Sequence, residues 1–122
     1  MRLESLKQAP FNTTMMGAMR GALDYYGIAA SDAFLYGASG HAFVMNIHKE
    51  LCPSGPYCWN REPVDALLAN VGLRVEALGF FHAGSGAEER ARVEARLRES
   101  LAAGVPCFLL NMENQLITPA PP

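Results

Sequence analysis

The sequence predicts an α+β fold, a central N-terminal helix packed on a small antiparallel sheet with additional helices around them. Three observations lead there. Apolar residues recur at helical spacing from Thr14 to Tyr26 and stop at Gly27. A charged segment with helical period lies between Ser85 and Gly104. Near the C-terminus two apolar runs, 107–110 and 115–118, flank the polar turn 111–114 at hairpin spacing.

The first helix carries Met15, Met19, Ala22, Leu23 and Tyr26 on one face, with Arg20 and Asp24 off it, and Gly27 supplies its stop. Ser31 and Asp32 read as the cap of a short second helix that holds Phe34 and Leu35 and ends at Gly37. Residues 37–59 are the least regular part. A short strand is expected at 42–45, between the turn formers of Gly37-Ala38-Ser39-Gly40-His41 and those of Cys52-Pro53-Ser54-Gly55-Pro56. A third helix starts near Pro63, buries Val64, Leu67, Leu68 and Val71, and stops at Gly72. Residues 74–81 alternate as a strand, with Val75, Ala77, Gly79 and Phe81 on one side.

Ser85-Gly86-Ala87-Glu88 has the pattern of a capping box opening a long helix. That helix is expected to bury Val93, Leu97 and Leu101 and to pair Glu88 with Arg92 and Glu94 with Arg98 on its solvated face. Gly104 and Pro106 end it, and the hairpin follows. Strand 74–81 is expected to join the hairpin strands in one antiparallel sheet.

Half of the 122 residues are hydrophobic, enough for one core and too few for two. Residues 1–118 therefore read as one domain, followed by the Pro-rich tail 119–122. Ten basic side chains against twelve acidic ones give a formal charge of −2, which offers no electrostatic footprint for nucleic acid or an anionic membrane. No apolar run reaches transmembrane length, no signal-peptide core follows Met1, and three cysteines fit reduced thiols, so a cytoplasmic protein is expected. No phosphate-binding glycine motif precedes a helix, and no cofactor is expected.

Gln8 stands six positions before Thr14, and Tyr25-Tyr26-Gly27 begins eleven positions after it. Together with Leu23 and Gly104-Val105-Pro106, these spacings make residues 8–118 resemble the papain-like cysteine peptidases. The likeness is to the bacteriocin-processing branch and its relatives, among them the N-terminal domain of the butirosin acyltransferases. Segments such as Ser39-Gly40-His41-Ala42-Phe43 and Leu51-Cys52-Pro53-Ser54-Gly55-Pro56 are similar to a group of uncharacterised bacterial proteins.

The resemblance implies the first part of a papain-like fold, with Thr14 at the nucleophile position and Gln8 at the oxyanion position. The general-base position falls at Asn114-Gln115, neither of which is a base at neutral pH, and the orienting residue would lie beyond Pro122. It therefore implies a pseudoenzyme, a domain that acts by binding or association. Gln8, Asn12, Thr13, Thr14 and nearby backbone N–H groups would form a small polar pocket for a carbonyl or carboxylate of a peptide or acyl group. From the residue types alone, Asn12, Thr13 and Thr14 read as a helix N-cap. The shortened sheet leaves an open hairpin, so Leu109, Leu116 and Ile117 are expected at a homodimer interface or exchanged element.

Two other readings stay open. One is a hydrolase or acyltransferase, with a Thr14 or displaced Cys nucleophile served by His41, His48 or His82, or with its remaining half missing from this chain. The other is a small metal-binding module. His41, His48, Cys52 and Cys58 are the ligand types of tetrahedral Zn²⁺, although their spacing matches no finger or ribbon. A Cys52–Cys58 disulfide is geometrically possible for so short a loop. Cys107 reads as an inert core thiol and His82 as an exposed loop residue, and His41 is the histidine to test first.

Overall fold

The computed structural model describes residues 3–51, 59–111 and 113–118. Their architecture is α+β: helices α1 (Thr14–Tyr26), α2 (Asp32–Ala38), α3 (Glu62–Leu67) and α4 (Ala87–Ala102), then an antiparallel hairpin of β1 (Cys107–Asn111) and β2 (Glu113–Ile117). Short 3-10 turns cover Leu3–Ser5, His41–Phe43 and Leu68–Val71. Among the described residues no helix is long and apolar enough to cross a membrane.

The core forms around α1. Met15, Met16, Met19 and Leu23 pack with Leu35, Val64, Leu68, Val71 and Leu73. Burying each large aliphatic side chain stabilises the fold by roughly 1.5–3 kcal/mol. A second cluster of Leu3, Leu6 and Tyr25 joins the first through Leu116 of β2. Tyr25, whose hydroxyl donates to the Gly104 carbonyl at 2.9 Å, ties α1 to the end of α4. Tyr26, expected on the buried face, is 42% exposed. Gly27 ends α1 as expected, at φ 67° with its N–H on the carbonyls of Leu23 and Asp24.

The N-terminal segment lies directly on α1. A Cβ at Gly17 would stand 2.4 Å from the Ala9 carbonyl oxygen, and one at Gly21 would stand 2.2 Å from that of Lys7. These two glycines, one turn apart, let residues 7–9 touch the helix backbone, and the Ala9 N–H donates to the Gly17 carbonyl at 3.1 Å.

Several expected elements take a different form. Helix α2 has the Ser31 cap, which accepts from the Phe34 N–H, but runs through Gly37 to Ala38, with Gly40 making the left-handed turn after it. Residues 42–45 form no strand. The chain makes a 3-10 turn in which the Phe43 and Val44 N–H groups bond back to Gly40 and His41, and Phe43 and Met45 are more than four-fifths exposed. Within the third helix Leu67 is 42% exposed, because the shift to 3-10 geometry at Leu68 turns it off the buried stripe.

Residues 74–81 form neither helix nor strand and join no ladder. Arg96 of α4 holds them instead, donating to the Leu78 carbonyl at 2.6 Å and to Glu76 at 3.3 Å. The sheet thus has two strands rather than the three expected. The capping box does not form: Ser85 Oγ accepts from the His82 N–H, and Gly86 caps α4 without a side-chain bond. Val93, Leu97 and Leu101 are only half-buried. Glu94 pairs with both Arg90, at 2.7 Å, and Arg98, at 4.0 Å, leaving the expected Glu88–Arg92 pair unmade.

The hairpin begins its second strand at Glu113, with Phe108 opposite Leu116 and Leu110 opposite Asn114. The N–H groups of Asn114 and Leu116 donate to Thr14 Oγ1 and Gln8 Oε1, away from β1. Antiparallel alternation then points the backbone groups of Phe108 and Leu110 away from β2. Among the described residues nothing pairs with that outer edge of β1. Leu109 is exposed on it, whereas Leu116, expected at an interface, packs inward against both core clusters because its position faces α1. The turn formers 52–56 and the tail 119–122 lie outside the described residues.

Candidate functional site

A cleft of about 360 Å³ opens at the N-terminus of α1. Asn12, Thr13 and Thr14 at the helix start, His41 and residues 44–47 after the 3-10 turn, and Trp59, Arg61, Leu110 and Asn114 line it. Local folding explains each placement. Ser39, fully buried after α2, accepts the His41 N–H on its hydroxyl at 3.3 Å and so fixes the turn that carries the imidazole. His41 then stacks edge-on between Tyr36 and Trp59, with ring centroids 5.7 and 5.9 Å away. Burial pushes its pKa below the ordinary histidine value.

The nucleophile, oxyanion and base positions of the sequence reading converge. Gln8 Nε2 donates to the Asn114 carbonyl at 2.9 Å, Gln8 Oε1 accepts the Leu116 N–H at 2.9 Å, and Thr14 Oγ1 accepts the Asn114 N–H at 3.0 Å. A fourth member was missed. Glu113 accepts the Thr14 hydroxyl at 2.7 Å. A carboxylate next to the position read as the base was visible in the sequence, but only the hairpin register shows that it reaches helix α1.

The N-cap expectation changes accordingly. The cap residue is Thr13, which makes no side-chain bond to the first turn, and the Thr14 hydroxyl turns to the hairpin instead. Gln8, expected in the polar pocket, does not line the cleft; both ends of its amide hold the outer edge of β2.

Arg61, also unforeseen, sits over the Phe108 ring at 5.4 Å. Nη1 reaches Asn114 Oδ1 at 3.4 Å and Nη2 reaches Asp65 Oδ1 at 3.5 Å, both long for hydrogen bonds. Its Nε is buried with no partner among the described residues. Burial raises the Asp65 pKa, partly offset by Arg61.

The other candidates separate. His48 is on the exposed turn, where Nδ1 accepts the Glu50 N–H, and His82 is in the exposed loop before α4. Cys52 and Cys58 lie outside the described residues, and among the described residues no three His, Cys, Asp or Glu side chains group as metal ligands. Cys107 is a buried free thiol whose pKa burial raises. A larger hollow of about 640 Å³ beside Gly27 is open surface, and its guanidinium, Arg20, is engaged with the Ala30 carbonyl and Asp24.

No family model, curated protein or solved structure matches the chain.

Proposed function

We propose that this chain is a non-catalytic domain of papain-like ancestry that acts by binding a ligand in the cleft at the start of α1. The observation that carries the reading is the Gln8–Thr14–Glu113–Asn114 network. A nucleophilic hydroxyl needs a base on its proton, a place Glu113 could fill, and also a lone pair aimed at substrate and donors left for the oxyanion. Here the hydroxyl is engaged as donor and acceptor inside the protein, and the amide that would stabilise an oxyanion bonds β2 on both ends. The network is suited to fastening the hairpin to α1, and it leaves Thr13, His41, Trp59 and Arg61 facing the cleft. Incubating the protein with peptide and thioester substrates should give no turnover above buffer; turnover abolished by Thr14→Val would overturn the reading.

Self-association through the hairpin belongs to the same proposal. Two β1 edges meeting about a two-fold axis would pair Phe108 of each copy with Leu110 of the other and bring the exposed Leu109 side chains together at the axis. Light scattering after size exclusion should report a dimer that Leu109→Glu dissociates, because like charges would then face each other at the axis. A monomeric wild-type protein at tens of micromolar would rule this out.

A further inference from the structure

We infer that the cleft is a receptor for a monocarboxylate with an apolar body, its carboxylate on Arg61 and the first N–H groups of α1, its body against Trp59, Met45, Ile47 and Leu110. This rests on the proposed binding role and names the ligand class for it. The polarity of the lining points to an anion: Arg61, paired with Asp65 outside the lining at 3.5 Å, contributes its charged side chain, and no acidic side chain lines the cleft. The guanidinium has five donors, and its terminal nitrogens are held only loosely, Nη1 by Asn114 Oδ1 at 3.4 Å and Nη2 by the Asp65 carboxylate at 3.5 Å. A carboxylate fits that planar fork in a bidentate way.

The helix start adds to the same sign. Thr13 makes no side-chain cap bond, so the first-turn N–H groups keep their hydrogen-bonding capacity beside the cleft. The lining also carries Val44, Met45, Ile47 and Leu110, and Met45 and Ile47 are largely exposed, so a short apolar ligand body would cover them. A volume of about 360 Å³ is within the range of small-molecule sites. Both a free aliphatic acid and the C-terminus of a peptide ending in a large apolar residue carry this chemistry.

The test titrates the full chain with decanoate, with a hexapeptide ending in Ile-Leu, and with the same peptide as its C-terminal amide, read by calorimetry and by amide shifts of Thr14 and Arg61. At least one free carboxylate should bind, and the amide should bind at least tenfold more weakly than the acid peptide. Tighter decanoate identifies a free acid as the source, and tighter peptide a protein C-terminus. Arg61→Gln should lower affinity about tenfold or more. Because Arg61 also contacts Phe108, Met45→Glu provides a second variant: it lies at the exposed mouth, should leave the melting temperature unchanged, and should weaken the acids about tenfold. Equal binding of acid and amide, binding unaffected by both variants, or no binding of either acid at millimolar concentration would overturn the inference. Amide binding alone would leave the binding role standing, whereas hydrolysis of the peptide would overturn that role itself.

Discussion

Placing a cysteine at position 14 discriminates between a site poised for thiol chemistry and one locked against it. The start of α1 favours a thiolate, and an anion there gains about 0.3–1 kcal/mol, or about half a pKa unit. Glu113 acts the other way. Its carboxylate already touches the Thr14 hydroxyl at 2.7 Å, so a Thr14→Cys thiolate would face a like charge at about 4 Å. The repulsion is about 1 kcal/mol at the dielectric of water and about 4 kcal/mol at the effective value of 20 that suits partly buried pairs. Even the lower figure matches the upper end of the helix contribution, and Glu113 is half-buried, so repulsion prevails.

The Thr14→Cys thiol should therefore titrate at or above the ordinary value of about 8.5. Removing the carboxylate in that background, with Glu113→Gln, should lower the pKa by about one unit or more. Iodoacetamide labelling against pH, with mass spectrometry of the peptide that contains residue 14, separates this thiol from the three native cysteines. A Thr14→Cys pKa near 6 with Glu113 intact would refute the reasoning, since the helix end would then dominate and the position would still be electrostatically fit for catalysis.

Two further outcomes follow from the packing and from burial. Gly21→Ala should destabilise the protein by about 1–3 kcal/mol despite a helix-propensity gain of about 1 kcal/mol, because its Cβ would meet the Lys7 oxygen at 2.2 Å, whereas Gly37→Ala, with open space around it, should raise the melting temperature by a few degrees; equal melting of the two variants would count against the close contact. His41 is held below its ordinary pKa by burial, so the unfolded chain binds more protons near pH 6: stability should be full above about 6.5 and fall as pH drops below it, by no more than about 1.4 kcal/mol per unit, and urea titrations from pH 7.5 to 5.5 should show His41→Phe flattening this slope.

Local signals made α1 and the hairpin legible. The apolar stripe of Thr14–Tyr26, Gly27 as its stop, and two apolar runs at hairpin spacing act within a few residues. Residues 74–81 misled because alternation specifies a strand's faces and not its partner; with β1 and β2 engaged elsewhere, the segment settled on Arg96. Residues 42–45 misled because a short apolar run reads the same whether it is buried or, as here, left on the rim of a cleft. In the candidate site, Gln8, Thr14 and Asn114 were marked by the resemblance and His41 by its glycine-flanked loop, whereas Glu113 and Arg61 join through contacts 99 and 53 positions apart in sequence. The glycine pair at 17 and 21 was a readable signal, small residues one helical turn apart, for the close approach that carries Gln8 to the hairpin.

That close approach connects the cleft to the rest of the fold. Residues 7–9 lie between the glycine face of α1 and the outer edge of β2, so Gln8 can bond two backbone groups of β2 only while Gly17 and Gly21 keep the segment in place. Asn114, held by Gln8 on its carbonyl and by Thr14 on its N–H, in turn presents its side chain to Arg61. The positions that resemble a catalytic set thus form a chain of contacts from the helix backbone to the guanidinium in the cleft. Loosening any member, whether by a methyl at Gly21 or by loss of the Thr14 hydroxyl, should lower stability and shift Arg61 together. The residues that fasten the hairpin to α1 are thus the ones that set the geometry of the cleft.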